Sequence, residues 1–156
     1  RGRGDTAIID GITFENILMD NVLTPIVMNM WYSHWDPNRV PEYIWTREKL
    51  PVDERTPYLG SFCFKNMKCD NCHNAAVYCD GLPEQPIKSV TLENIEFGYA
   101  ENAEEGEPAM RVGMKLCRKA GMYFDNIGEV VIKNVTLNGC DGEEVTADHV
   151  GKYVRE

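Results

Sequence analysis

Ile12-Thr13-Phe14-Glu15-Asn16-Ile17 returns three times along the chain, as Phe62-Cys63-Phe64-Lys65-Asn66-Met67, Val90-Thr91-Leu92-Glu93-Asn94-Ile95 and Val130-Val131-Ile132-Lys133-Asn134-Val135. The four copies align without a gap on the template apolar-x-apolar-x-Asn-apolar. Two further columns stay apolar or small: Met19, Cys69, Phe97 and Leu137, then Val22, Cys72, Ala100 and Cys140. Up to each Asn the alternation has period two, the mark of a strand, and the register then slips by one. The slip predicts a bend carried by a residue that tolerates left-handed backbone geometry. Strand, bend and strand, repeated at irregular intervals, read as a stack of coils with a long groove as its working surface.

A second apolar stretch follows each template, at Pro25-Ile26-Val27-Met28-Asn29-Met30, Ala75-Ala76-Val77-Tyr78 and Glu144-Val145. In the third coil it is expected at Ala109-Met110-Arg111-Val112, delayed by the acidic loop 101–108. The four Asn side chains are expected to form a hydrogen-bonded ladder inside the coil, which would satisfy buried amides. Separate exposed turns, a common location for Asn, are the alternative. Four to five coils at about 4.8 Å each would make a short all-β prism with strand edges at both ends. Such edges adhere to other strands, so self-association or adhesion to a preceding part of the same structure is expected.

The 156 residues suit one domain, residues 1–156, and 43% apolar content is enough for a continuous core. A net charge of −9 argues against nucleic acid and against an anionic membrane surface. No apolar run approaches the roughly 20 residues of a membrane span, and no signal peptide is visible. Three of the six Cys residues, Cys69, Cys72 and Cys140, fall on interior columns. They read as small apolar fillers with free thiols, which favours a reducing, cytoplasmic setting. A secreted protein with one or more disulfides is the alternative.

Residues 33–57 interrupt the repeats. Trp31, Trp35 and Trp45 lie in or beside this segment with Tyr32 and Tyr43, and ring faces with polar edges suit the CH-rich face of a sugar. The same rings would also serve to pack the loop on its own coil. Cys69-Asp70-Asn71-Cys72-His73 matches a haem attachment pattern in its letters. Both thiols are expected to point into the coil, however, and no second Cys/His pair stands at zinc-ligand spacing. No cofactor and no metal site is expected. Arg3-Gly4-Asp5 and Asn134-Val135-Thr136 are short enough to occur by chance.

Gly2-Arg3-Gly4 leading into the first template, Pro25-Ile26-Val27-Met28, Asp53-Glu54-Arg55-Thr56-Pro57 and Gly81-Leu82-Pro83-Glu84 together resemble family 28 glycoside hydrolases, the polygalacturonase-like enzymes. The resemblance runs along the whole chain, corresponds to the C-terminal part of that family, and is most specific at the last two motifs. It implies a right-handed parallel β-helix and hydrolysis of pectic polysaccharide with inversion. Its Asn-Thr-Asp, Asp-Asp, Gly-His-Gly and Arg-Ile-Lys motifs are absent here. The resemblance therefore implies a segment that supplies part of the cleft and a cap, with the catalytic aspartates upstream. No catalytic residue is assigned within the chain, and the chain alone is expected to be inactive.

Inverting hydrolysis needs two carboxyl groups roughly 6.5–9.5 Å apart. Asp53-Glu54 and Glu143-Glu144 are sequence neighbours that point apart on extended backbone. Asp36, Glu42 and Glu48 sit on an unsupported loop. The resemblance assigns sugar binding to Tyr32, at the end of the strand that begins at Ile26. Trp35 in the aromatic loop and Arg55, whose guanidinium matches a uronate carboxylate, complete the candidates. The expected partners are pectic polysaccharide or oligogalacturonide and the N-terminal part of the same β-helix. A non-catalytic carbohydrate-binding or structural β-helix module is the alternative.

Overall fold

The computed structural model describes residues 7–31, 41–110 and 114–156. Its elements are β1 (Ile8–Ile9), β2 (Ile12–Asp20), β3 (Ile26–Asn29), a single helical turn α1 (Glu42–Trp45), β4 (Tyr58–Leu59), β5 (Ser61–Cys72), β6 (Ala75–Asp80), β7 (Ile87–Tyr99), β8 (Ala120–Asn138) and β9 (Val145–Arg155). The fold is all-β, and every pairing between these strands is parallel. One curled sheet runs β2-β5-β7-β8-β6-β3, with β9 also on β8, and the short β1–β4 pair stands beside it.

The curl arises in β8. Its residues Ala120–Asp125 pair with β6, while Ile127–Asn138 pair with β7. Asn126, with φ of 54°, turns the chain between the two halves. β9 repeats the manoeuvre around His149, φ 49°, pairing along both halves of β8. The sheet thus has two arms: β2-β5-β7 with the second half of β8, and β3-β6 with the first half of β8.

The template columns are the register of the first arm. Ile12 pairs with Phe62, Phe62 with Val90 and Val90 with Val130; Phe14, Phe64, Leu92 and Ile132 form the next column. Ile17, Met67, Ile95 and Val135 follow, then Met19, Cys69, Phe97 and Leu137. Cys69, Cys72, Val90, Leu92 and Phe97 are fully buried, and with Val77, Cys79, Met122 and Phe124 of the second arm they form one core. Period-two alternation holds each column on one face, so stacking identical templates stacks apolar groups. All six thiols are unbridged, and Cys140 is only partly buried.

Asn16, Asn66, Asn94 and Asn134 all have φ between 50° and 60°, the left-handed bend expected of them. Asn94 donates to Asn66 at 3.2 Å and Asn134 to Asn94 at 2.9 Å. The ladder lies outside the core, however, because all four side chains are exposed. Both strands flanking the bend turn their apolar faces inward, which leaves the bend residue on the convex side. At the open end the pattern changes, and Asn66 donates to Glu15 at 3.5 Å instead of to Asn16.

The third coil's second strand begins later than expected; of the stretch 109–112, Arg111 and Val112 lie outside the described residues. That strand is the first half of β8, where Met122 is 1% exposed, whereas Met110 is 68% exposed in a bend. A Cβ at residue 121 would lie 2.3 Å from the Glu144 carbonyl oxygen, so the close approach of this strand to its neighbour needs Gly121. The described residues 101–110 and 114–119 lie outside the named strands and are pinched by paired backbone hydrogen bonds between Gly106 and Cys117.

Candidate functional site

On the second arm, alternate residues face away from the core in two columns. Val27, Tyr78, Tyr123 and Thr146 form one; Asn29, Asp80, Asp125 and Asp148 form the other. The Tyr78 and Tyr123 rings stack with centroids 4.9 Å apart, as neighbouring strands of a parallel sheet allow.

Asp80 is completely buried, and both its oxygens are engaged. Oδ1 accepts from Trp31 Nε1 at 2.7 Å and Arg47 Nη1 at 2.9 Å; Oδ2 accepts from Arg47 Nη2 at 3.0 Å and the Tyr78 hydroxyl at 3.0 Å. Trp31 is 1% exposed and also donates to the Gly81 carbonyl, and the Arg47 guanidinium lies 4.1 Å from the centre of its ring. The bidentate fork and the ring contact are interactions that Arg offers and Lys does not. Asp125 sits one strand further along, 3.8 Å from Arg47 Nη2 and 2.8 Å from His149 Nδ1, with the Tyr123 hydroxyl at 3.4 Å.

These contacts set the charge states. Burial opposes the charge on Arg47, but the Asp80 hydrogen bonds and the two carboxylates outweigh it and hold the guanidinium above its usual range. Burial, with Asp125 and Asp80 nearby, pushes the Tyr123 hydroxyl up to about 12. The hydrogen bond to Asp125 and that carboxylate's charge raise His149, so its imidazolium persists above the ordinary range. Asp80 and Asp125 are thus each held by hydrogen-bonding and ion-pairing partners within the fold.

The tyrosine column floors a groove of about 870 Å³, walled by Pro108, Met114, Lys115, Leu116 and Arg118 of the long loop. The loop is tied down at its base. His73 Nδ1 accepts from the Glu104 amide at 3.0 Å, which leaves Nε2 to donate to Asn21 Oδ1 at 2.9 Å. Asn74 Nδ2 donates to the Glu107 carbonyl at 3.2 Å. His73, the last letter of the haem-like motif, is therefore a loop anchor, and Cys69 and Cys72 beside it are shut in the core.

Of the residues singled out from sequence, Tyr32 and Trp35 lie outside the described residues. Arg55 is ion-paired with Asp53 and stacked 4.6 Å from the centre of the Tyr43 ring, with its side chain 40% exposed. Those contacts keep it within its own loop. Sequence reasoning missed Asp80, Asp125, Arg47, Tyr78 and Tyr123. A signal for four of them exists in Tyr78-Cys79-Asp80 and Tyr123-Phe124-Asp125, the same Tyr-apolar-Asp triplet on paired strands. Compared with protein-family models, curated proteins and solved structures, the chain has no match.

Proposed function

We propose that the two arms are coils of a right-handed parallel β-helix, and that the outer face of the second arm forms part of the cleft of a pectin-type glycosidase resembling family 28. The winding is supported by β8 and β9, each of which serves both arms through one left-handed bend residue. The reading of function is carried by one observation above all: a stacked tyrosine floor in an open groove whose wall offers Lys115, with Arg118 facing Asp141 at 3.9 Å and Glu105 and Glu143 on the same lining. Aromatic faces take the CH-rich side of a sugar, and cations take a uronate carboxylate.

In this reading the chain binds polysaccharide and performs no hydrolysis. Among the described residues Asp80 accepts hydrogen bonds from Trp31, Arg47 and Tyr78, and Asp125 is held by His149 and Arg47, so both carboxylates are engaged within the protein. The acid and base come from another part of the enzyme. Calorimetric titration with oligogalacturonate tests this, with uncharged galactose oligomers as the control. Tyr123→Ala is expected to weaken oligogalacturonate binding about tenfold, in line with an aromatic contact of roughly 1–1.5 kcal/mol. Binding that ignores Tyr123→Ala, or equal affinity for the neutral oligomers, would remove the reading.

A further inference from the structure

The groove is one surface; the free edge of β2 is another, and its chemistry is specific. Ile12 and Phe14 belong to the apolar columns, yet they are 36% and 43% exposed, while Phe62 and Phe64 one strand inward are 8% and 6%. The Phe14 ring lies flat on Phe64, with centroids 5.1 Å apart and planes within 5°, so its opposite face is open. Among the described residues β2 pairs only with β5, which leaves one side of its backbone without a described strand partner.

Two ladders state what such a partner must carry. The residue before each bend Asn alternates in sign along the register: Glu15, Lys65, Glu93 and Lys133. Glu15 meets Lys65 at 3.3 Å, and Lys133 meets Glu156 at 3.4 Å. The Asn ladder is directional, since Asn134 donates to Asn94 and Asn94 to Asn66. Continued past β2, the first ladder calls for a cation opposite Glu15; the second leaves its line at Asn66, which donates to Glu15, and asks only for a residue that tolerates the left-handed bend of Asn16.

We propose that the β2 edge is a docking site for an extended polypeptide strand added in parallel, of the pattern apolar-x-apolar-basic-Asn-apolar. Its second apolar residue covers the open face of Phe14, its Lys or Arg pairs with Glu15, and its Asn takes the left-handed bend beside Asn16. Main-chain hydrogen bonds supply affinity in such strand addition, and the side-chain columns supply selectivity. The β9 edge of a second copy is a poor match. In the same register it brings Glu156 opposite Glu15 and puts Arg155, the partner of Ile132, in the apolar column. This inference does not depend on what the groove binds.

The test uses a fluorescent peptide with the sequence of residues 127–138, a Lys-Asn strand, and its counterpart carrying Lys133→Glu. At low salt the first peptide is expected to bind the full chain at least fivefold more tightly than the second. Its binding should protect β2 amides from hydrogen exchange, and added salt should erode the preference. Glu15→Lys in the protein is expected to reverse the order of the two peptides. Absence of binding with β2 amides unprotected would overturn the docking site. Equal binding of the two peptides would overturn the charge register. Concentration-dependent β2 protection without peptide would make a second copy the occupant and overturn the stated partner.

Discussion

The two edges of the sheet are built on the same register and finished differently. At the β2 edge the apolar columns end in Ile12 and Phe14, with Ile8 beside them 74% exposed. At the β9 edge the corresponding positions hold Tyr153 and Arg155, and Arg155 is tied to Glu144 while Lys152 pairs with Glu129 at 2.5 Å. A strand with neighbours on both sides must repeat its neighbours' chemistry, because each column is shared. A terminal strand is free of that constraint on one side, so it either stops the columns with charge, as β9 does, or leaves them available, as β2 does. Charged and twisted edges are how sheets discourage further strands. By that standard β9 is closed and β2 is receptive.

The sharpest way to break this comparison is to empty the same column at the middle and at the edge. Leu92→Ala removes a fully buried side chain and is expected to cost about 3–4 kcal/mol. Phe14→Ala, in the same column but 43% exposed, is expected to cost about 1 kcal/mol despite deleting a larger group. Urea denaturation measures both. Similar losses would mean that the β2 edge is covered in solution and that the contrast between edges is not real.

A smaller effect separates bend geometry from the ladder. Asn94→Ala at φ 54° is expected to cost about 1–2 kcal/mol, from left-handed strain and the broken hydrogen bonds to Asn66 and Asn134. Asn16→Ala keeps only the backbone part, about 1 kcal/mol, and Gly at either position is expected to recover most of that part. Equal losses at the two positions would show that the amide ladder adds nothing.

The smallest effect belongs to the β9 edge. His149 faces Asp125, with Asp148 and Arg47 nearby, and its pKa is raised above 6.5. A raised folded-state pKa stabilises the fold fully below the unfolded value, and the contribution fades as pH rises through the folded value. His149→Asn retains a residue suited to φ 49° and removes that contribution. The gap in denaturation midpoint between the native chain and this variant should be widest on the acid side of pH 6.5 and shrink above neutrality. A gap independent of pH would mean the imidazolium–Asp125 contact is not made.

Much of the first arm was legible because its information is local. Apolar alternation sets which face each residue takes, and an Asn at every slip in register marks the left-handed bend, so four templates could be laid over one another before any pairing was known. The second arm was harder to read. Its strands are short, and the third was expected around Ala109 when it begins at Ala120, because the apolar residues near Ala109 fit the pattern and the close approach that needs Gly121 is not visible in residue spacing. The Asn ladder was expected inside, because flanking apolar columns suggest burial when the convex side of a bend is not considered.

The site residues were legible only in part. Tyr78-Cys79-Asp80 and Tyr123-Phe124-Asp125 carry a repeated triplet, but Arg47 has no such signal; its partner Asp80 is 33 residues away. Arg55 and Arg47 look alike in sequence, two basic residues in one charged loop. One is held within its loop by Asp53 and Tyr43, and the other reaches a fully buried carboxylate under Trp31.

By itself the sequence determined the strand faces, the bend positions and the parallel register of the first arm, since each follows from residue spacing along a backbone with a two-residue repeat. Tertiary structure alone decided which long-range partners Asp80, Asp125, Arg47 and His149 would meet, and that the tyrosines would line one groove. Those contacts depend on where a bend returns the chain, and a few residues more or less in a connecting loop leave the local pattern untouched while changing what lies opposite.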